Sequence, residues 1–270
     1  MKTVAVIVPA YKPDLNNNER ISFRQTVKIL SGYDIILVTP EHLDVSEYSL
    51  IAADADVTII RIIFNPEYFT GIQGYNRLLL SPVFYDAFSD YKYILICQLD
   101  AYIFRDELLM WCEKGYDYVG APLIGKYEDT EFSKIMRVGN GGLSLRKVES
   151  YRNFFLSKAN VFNAIQIAKR IDIKGKPYTR IFIWALMMLG WRNKPQSVAD
   201  RWKYNEDDFW SSIISGSQYK LSIPAPMEAL KFSFERFPSS LFKLNDCKLP
   251  MGCHAWEKYE YNEFWSVFVR

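Results

Sequence analysis

The chain has 270 residues, with 33 Lys and Arg against 31 Asp and Glu, and 16% of its positions are aromatic. A chain of this length removes roughly 75% of its unfolded surface from water, and so much apolar material is incompatible with disorder. A formal net charge of +2 gives no basic footprint for a phosphate backbone, which sets nucleic acid aside as a partner.

Short β-branched runs alternate with segments of helical period through the first half, the form of βαβ units on a mostly parallel sheet flanked by helices. The pattern predicts strands over 3–8, 34–39 and 57–63, with a helix in the first gap capped by Asn18 and carrying Glu19 in its first turn. A helical stretch over 72–88 is crossed by Pro82. Residues 91–99 are nearly all apolar, as expected of a central strand covered on both faces, and end in Gln98-Leu99-Asp100. Asp106 is expected to cap a helix through Glu113 that Gly115 stops, before a strand over 116–120 leading to Ala121-Pro122.

Past Arg137 the order is less regular. A turn rich in glycine at Gly139, Gly141 and Gly142 precedes helical stretches over 147–157, 160–171 and the very apolar 181–189, and Asn205 is expected to cap a helix over 206–214. Without repeats or a Pro/Ser-rich linker, a single domain over 1–270 is expected, with a sheet half over 1–135 and a more irregular half over 136–270. Cys97, Cys112, Cys247 and Cys253 form no CxxC pair and, with only two histidines, make no zinc framework, so reduced thiols are expected. The apolar run at 4–8 leads into Pro9, Lys12, Pro13 and Asp14 where a signal peptide would have its cleavage site. The longest apolar stretch, 181–191, is about half of the ~20 residues that cross a bilayer. A cytoplasmic protein is the expectation.

Neither GxxxxGK[ST] nor GxGxxG after a first strand occurs, which argues against a P-loop enzyme or an ordinary dehydrogenase. Asp100 stands out at the carboxyl end of a central parallel strand, where open α/β sheets bind ligands. It either caps a turn or holds a divalent metal bridging a diphosphate. Glu206-Asp207-Asp208 is either a solvated helix start favoured by the helix dipole or a source of a general base, Asp207 or Glu206, for an attacking hydroxyl. His254, among aromatics, is either a packed core residue or a nitrogen donor that joins Asp100 around Mn²⁺, with Met251 a softer candidate. Trp184, Trp191, Trp202, Trp210 and Trp256 supply core and, for one or two of them, faces suited to sugar rings.

Taken in order, these segments resemble the GT-A class of nucleotide-sugar glycosyltransferases. Residues 6–11, Val-Ile-Val-Pro-Ala-Tyr, look like the first strand of that Rossmann-like fold, whose end touches the nucleotide base at Pro9 and Tyr11. Tyr75-Asn76-Arg77 ahead of the strand ending at Asp100 is similar to the segment of β-1,4-galactosyltransferases before their DxD motif, which assigns Tyr75 and Arg77 to the nucleotide. Gly141-Gly142 looks like the strand facing the donor sugar, Glu206-Asp207-Asp208 like the segment whose first Asp is the proposed base, and Met251-x-x-His254 like the pair that joins the last Asp of DxD around manganese. A closer resemblance is to a bacterial group of GT-A proteins with Gln-Leu-Asp-Ala, Asp-Tyr-Val-Gly-Ala-Pro, Gly-Gly-Leu-Ser-Leu-Arg and Glu-Asp-x-Phe-Trp blocks, here at 98–101, 117–122, 141–146 and 206–210. Gln98 replaces the first acid of DxD, and the acceptor loop of the galactosyltransferases has no counterpart in 150–204.

The resemblance implies transfer of a sugar from a nucleoside-diphosphate donor, UDP above all, to a hydroxyl of a glycan or lipid-linked oligosaccharide, with inversion, in surface polysaccharide synthesis. Residues 136–270 would form the acceptor side. The implied metal is Mn²⁺ or Mg²⁺ on Asp100 and His254, and Gln98 would lie beside the donor. The protein would be cytoplasmic, with peripheral contact at the inner face of the membrane. Two rivals stand beside this reading: a sugar- or nucleotide-binding protein without catalysis, and a glycoside hydrolase with Asp100 and Asp207 as its paired carboxylates.

Overall fold

The computed structural model describes residues 1–124, 135–171 and 177–269. Four parallel strands, β1 (Lys2–Pro9), β2 (Asp34–Thr39), β3 (Ile60–Ile63) and β4 (Tyr91–Cys97), are joined through α1 (Asn17–Ile29), α2 (Ser46–Ala53), α3 (Gly71–Leu79) and α4 (Pro82–Asp86). Two antiparallel strands, β9 (Leu143–Lys147) and β6 (Tyr118–Val119), extend the sheet to the order β3-β2-β1-β4-β9-β6. The expected mostly parallel α/β sheet is therefore present. Because β1 lies between β2 and β4, the chain moves outward to β3 and then returns to the other side of β1. That reversal opens a crevice beyond the carboxyl ends of β1 and β4, at Pro9 and at Gln98-Leu99-Asp100.

Both faces of the sheet are buried, and the period of two along each strand divides the core. Val4, Val6 and Val8 of β1 and Tyr93, Leu95 and Cys97 of β4 face one cluster, while Ala5, Ile7, Ile94 and Ile96 face the other. On the first face lie α1, α2 and α5 (Leu108–Glu113), through Phe23, Val27, Tyr48 and Trp111. The second is covered by α3, α4, α6 (Val148–Leu156) and a π-helical turn at Phe209–Ile214, through Leu78, Tyr85, Tyr151 and Trp210. Full burial of such side chains contributes about 1.5–3 kcal/mol each, so the strand pairing follows from the apolar pattern.

The remaining elements carry the crevice walls. A short antiparallel pair, β7 (Ala121–Ile124) and β8 (Ile135–Gly139), leads into the turn at 139–142. A second small sheet joins β5 (Ala101–Ile103), β10 (Ser233–Phe234) and β11 (Gly252–His254) in the order β10-β11-β5. The second half adds α7 (Ala164–Arg170), α8 (Pro177–Met188), α9 (Pro195–Ala199), α10 (Glu206–Asp208), α11 (Pro226–Ala229) and α12 (Pro238–Leu244). The expected boundary at 135 borders 125–134, which lie outside the described residues, and β9 from beyond it pairs with β4 inside the main sheet.

Several local expectations shift. Asn16, not Asn18, caps α1, because Glu19 then stands at the third helical position and its carboxylate accepts from the Asn16 amide, closing a capping box. The stretch over 72–88 is two helices, since Pro82 forces Ser81 into an extended conformation and then opens α4 at its first turn. The third strand is shorter than 57–63, and the strand over 116–120 is two residues long. Asp106 does accept from the Leu108 amide, and Gly115, with φ of 78°, ends that helix. Asn205 makes no side-chain cap; α10 runs straight into the π-helical turn instead. The four cysteines are free, and burial pushes the Cys97 and Cys112 thiols up to about 12. No helix among the described residues is long and apolar enough to cross a membrane.

Candidate active site

The crevice at the strand reversal is a cavity of about 480 Å³. Pro9 and Tyr11 line it from the end of β1, Tyr75 from α3, Gln98 and Asp100 from the end of β4, and His254 from the end of β11. Six residues singled out in the sequence thus meet, from four elements spread over most of the chain. Parallel pairing of β1 with β4 and antiparallel pairing of β11 with β5 bring them there: His254 pairs with Ala101, immediately after Asp100.

His254 Nε2 lies 3.1 Å from Asp100 Oδ1 and 3.3 Å from Gln98 Oε1, while its Nδ1 lies 3.5 Å from Glu235 Oε1. Lys258 Nζ is 3.2 Å from Asp100 Oδ2. Burial pushes the Asp100 carboxyl up, but the His254 hydrogen bond and the His254 and Lys258 charges outweigh it and hold it at about 2. For His254 burial acts downward, and the Asp100 and Glu235 carboxylates overcome it to hold the imidazole at about 9. The Tyr75 hydroxyl is buried at this wall and makes no complete hydrogen bond among the described residues.

No cluster of three or more His, Cys, Asp or Glu side chains able to hold a metal occurs among the described residues. The donors that do converge are one carboxylate, one imidazole and the amide oxygen of Gln98. Oxygen and nitrogen donors of this kind suit Mn²⁺ or Mg²⁺, and Mg²⁺ in particular is commonly held by one or two carboxylates together with substrate phosphates. The set fits a divalent cation shared with a diphosphate better than an ion caged by protein alone.

The turn after β8 connects this wall to the second group of acids. Asn140 sits in the left-handed region at φ of 76°, a conformation Asn tolerates, and its Oδ1 accepts from the Gly142 amide at 2.8 Å. Its own amide donates to Asp207 Oδ2 at 2.8 Å, and its carbonyl accepts from the Tyr118 hydroxyl at 2.8 Å. Asn140 Nδ2 is buried with no partner among the described residues. At Gly141 a Cβ would fall 2.3 Å from Glu206 Oε1, and at Gly142 one would fall 2.0 Å from His254 Nε2. Glycine is required at both because acidic and imidazole side chains pack directly on the backbone. Asp207 and His254 therefore press on one four-residue turn, although 47 positions separate them in the chain.

Two of the expected residues have other tasks. Glu206 is 3% exposed, and both of its oxygens are taken by Arg146, at 2.7 and 2.9 Å. Arg146 also donates to the hydroxyls of Tyr85 and Ser144, and although burial acts against its charge, Glu206 holds it protonated. Burial raises the Glu206 carboxyl and the Arg146 charge opposes it; both Glu206 oxygens are held by that guanidinium, whereas Asp207 gives one oxygen to the Asn140 amide. Arg77 lines a second cavity, of about 380 Å³, with Asp200 and Trp202, and not the one that holds Asp100. Residues on one helix two positions apart point roughly 200° from each other, so Tyr75 and Arg77 cannot share a wall.

Sequence reading missed Lys258, Glu235, Asn140 and Arg146. Lys258, four residues after His254, carried no signal of its own. Arg146, a charge inside the apolar run of β9, did.

Among solved structures the chain is similar to the galactosyltransferase LgtC in complex with donor and acceptor sugar analogues, at 13% identity over 93% of this chain and 86% of that one, with a TM-score of 0.46. It is also similar to the glycosyltransferase GlyE of Streptococcus pneumoniae TIGR4, at 12% identity over 94% and 55% of the two chains and a TM-score of 0.46. A third likeness is to core-mannan synthase A of Aspergillus fumigatus in a Mn/GDP form, at 10% identity over 77% and 71% and a TM-score of 0.41. At these values the likenesses are too distant to decide an activity. No curated protein matches the sequence. A family model described as protein of unknown function, DUF5672, matches residues 58–254, from the approach to β3 through His254, and the chain belongs to that family.

Proposed function

We propose that the protein is a GT-A-type glycosyltransferase that moves a sugar from a nucleoside-diphosphate donor, UDP first among the candidates, to a hydroxyl of a glycan or lipid-linked oligosaccharide in surface polysaccharide synthesis. The observation that carries this reading is the convergence of Asp100, His254 and Gln98 on a ligand crevice at a strand reversal, with Asp207 bonded to the turn at 139–142 that packs on His254. In this reading Pro9, Tyr11 and Tyr75 line the nucleotide side of that crevice and Gln98 the sugar side, with Gly142 packed behind His254 and Gly141 against Glu206.

Asp207 takes the proton of the acceptor hydroxyl. The acceptor oxygen forms a bond to the anomeric carbon as the bond from that carbon to the diphosphate oxygen breaks, and the nucleoside diphosphate departs with the electron pair. A single displacement of this kind inverts the anomeric configuration. Asn140 holds Asp207 by one oxygen and leaves the other to the acceptor. Lys258 contributes a positive charge toward the diphosphate, next to Asp100. A divalent cation on Asp100, His254 and Gln98 would supply charge neutralisation of the departing diphosphate.

In the hydrolase alternative Asp100, held at about 2 by His254 and Lys258, would be the ionised carboxylate and Asp207 the acid, and simple glycosides would be hydrolysed without a nucleotide. Calorimetric titration with UDP-, GDP-, dTDP- and CMP-sugars, with and without Mn²⁺, followed by product analysis with oligosaccharide acceptors, tests the proposal. Donor binding with turnover and an inverted product is expected. Failure of every donor to bind, with binding of a simple oligosaccharide, would refute it, and donor binding without turnover would establish a binding protein.

A further inference from the structure

The helix α8 is apolar on two sides. Trp184 and Met187 pack toward the core, with the Trp184 indole donating to the Ala164 carbonyl at 3.0 Å. Yet the outward face is also apolar. Ile181 and Phe182 are 67% and 64% exposed, Leu189 just beyond the helix is 84% exposed, and Met188 and Trp191 are exposed beside them. At 100° per residue, positions 181, 182, 185, 188 and 189 fall within an arc of roughly 120°. A helix apolar all round is ordinarily buried, but no residue of α8 is.

Charge sets this region apart as well. Residues 158–203 contain 10 Lys and Arg against 2 Asp, while the rest of the chain has 23 Lys and Arg against 29 Asp and Glu. Lys169, Arg170, Arg180, Arg192 and Lys194 flank the apolar face in sequence, and none of them has an acidic partner within ion-pair distance among the described residues. Arg192 lies over the ring of Trp191 at 4.3 Å, a cation and an aromatic face exposed together.

We infer that the outward face of α8, with Leu189 and Trp191, docks on the surface of a lipid bilayer that carries anionic headgroups. Apolar side chains enter the interface, Trp191 lies at headgroup depth, and the surrounding cations meet the lipid charge. At 12 residues the helix is about 18 Å long, right for lying in the interface and too short to span it. Two copies of this face would bring their uncompensated cations together, so an anionic surface is the better match than a second copy. The inference stands independently of the proposed transferase activity.

The test uses the full chain with vesicles of phosphatidylcholine alone or equimolar with phosphatidylglycerol. Flotation with the anionic vesicles only, weakened by salt, is expected, together with quenching of Trp fluorescence by brominated phosphatidylglycerol. Ile181→Ser/Phe182→Ser/Leu189→Ser should abolish flotation, and Lys169→Gln/Arg180→Gln/Arg192→Gln should weaken it by roughly a hundredfold. All six side chains are exposed, so a melting temperature equal to that of the wild type separates docking from folding. Absence of flotation or of quenching in the wild type would overturn the inference, as would apolar variants that float normally. A wild-type dimer in sedimentation equilibrium that the apolar variant dissolves would also overturn it, in favour of contact between copies.

Discussion

Gly142 and His254 are in such close contact that a Cβ on the glycine would fall 2.0 Å from the imidazole Nε2. The imidazole cannot keep its place beside Asp100 and Gln98 if that space is filled. Gly142→Ala is therefore expected to lower Mn²⁺ and donor affinity by at least about tenfold, a cost typical of disturbing an oriented ligand. Calorimetric titration measures this, and a normal circular dichroism spectrum shows that the sheet is intact.

Asp207 and Glu206 are neighbours with opposite expected phenotypes. Asp207→Asn should reduce transfer by about 10²–10⁴ while leaving donor affinity within about threefold, because Asp207 lies outside the residues that line the donor cavity. Turnover and donor titration on the same preparation check both halves. Donor affinity and turnover falling together would assign Asp207 to binding instead.

Glu206→Gln should act on stability. Removing one partner of a buried pair leaves Arg146 charged and unmatched, at a cost of about 3–5 kcal/mol, visible as a shift in the urea midpoint. Arg146→Met with Glu206→Leu should recover much of that loss, since a buried pair replaced by apolar groups is often near neutral. The aromatic shell of Tyr85, Tyr118 and Tyr151 around the guanidinium favours such a replacement.

The pairing of His254 also has a pH signature. In the folded protein its proton affinity rises from 6.5 to about 9, so the stabilisation is complete below about 6.5 and disappears as pH rises through 9. Without divalent ions, melting temperature should fall between pH 6.5 and 9, by no more than about 3 kcal/mol of stability, and His254→Gln should flatten that slope. A metal must displace the same proton, so Mn²⁺ affinity should rise by up to about tenfold per pH unit toward 9. Parallel melting and titration series would expose either trend, and a pH-independent Mn²⁺ affinity would exclude His254 as a ligand.

The strands of the parallel half announced themselves by β-branched apolar runs and Asp100 by its position at a strand end, whereas His254 stood out only as one of two histidines, set among aromatics, where no strand was expected. Asn16 replaced Asn18 as the cap because three asparagines in a row offer the same side chain, and only the register of Glu19 selects among them. Arg77 left the expected nucleotide wall because a helix turns 100° per residue, a constraint that a motif match does not contain. The outward apolar face of α8 was hidden in the same way, since a sequence shows that residues are apolar but not which neighbours remain to cover them.

The sequence by itself determined the α/β character of the chain and most of its chemically capable side chains, because strand period, caps and charged residues at strand ends are encoded within a few positions. Tertiary structure alone decided which carboxylate enters a buried ion pair. Glu206 and Asp207 are chemically alike and adjacent, yet β9 brings Arg146 from 60 positions away to pair with one, while the other accepts from the Asn140 amide. Desolvation and ion pairing depend on what is packed within a few ångströms, and that neighbourhood exists only after the strands have found their order.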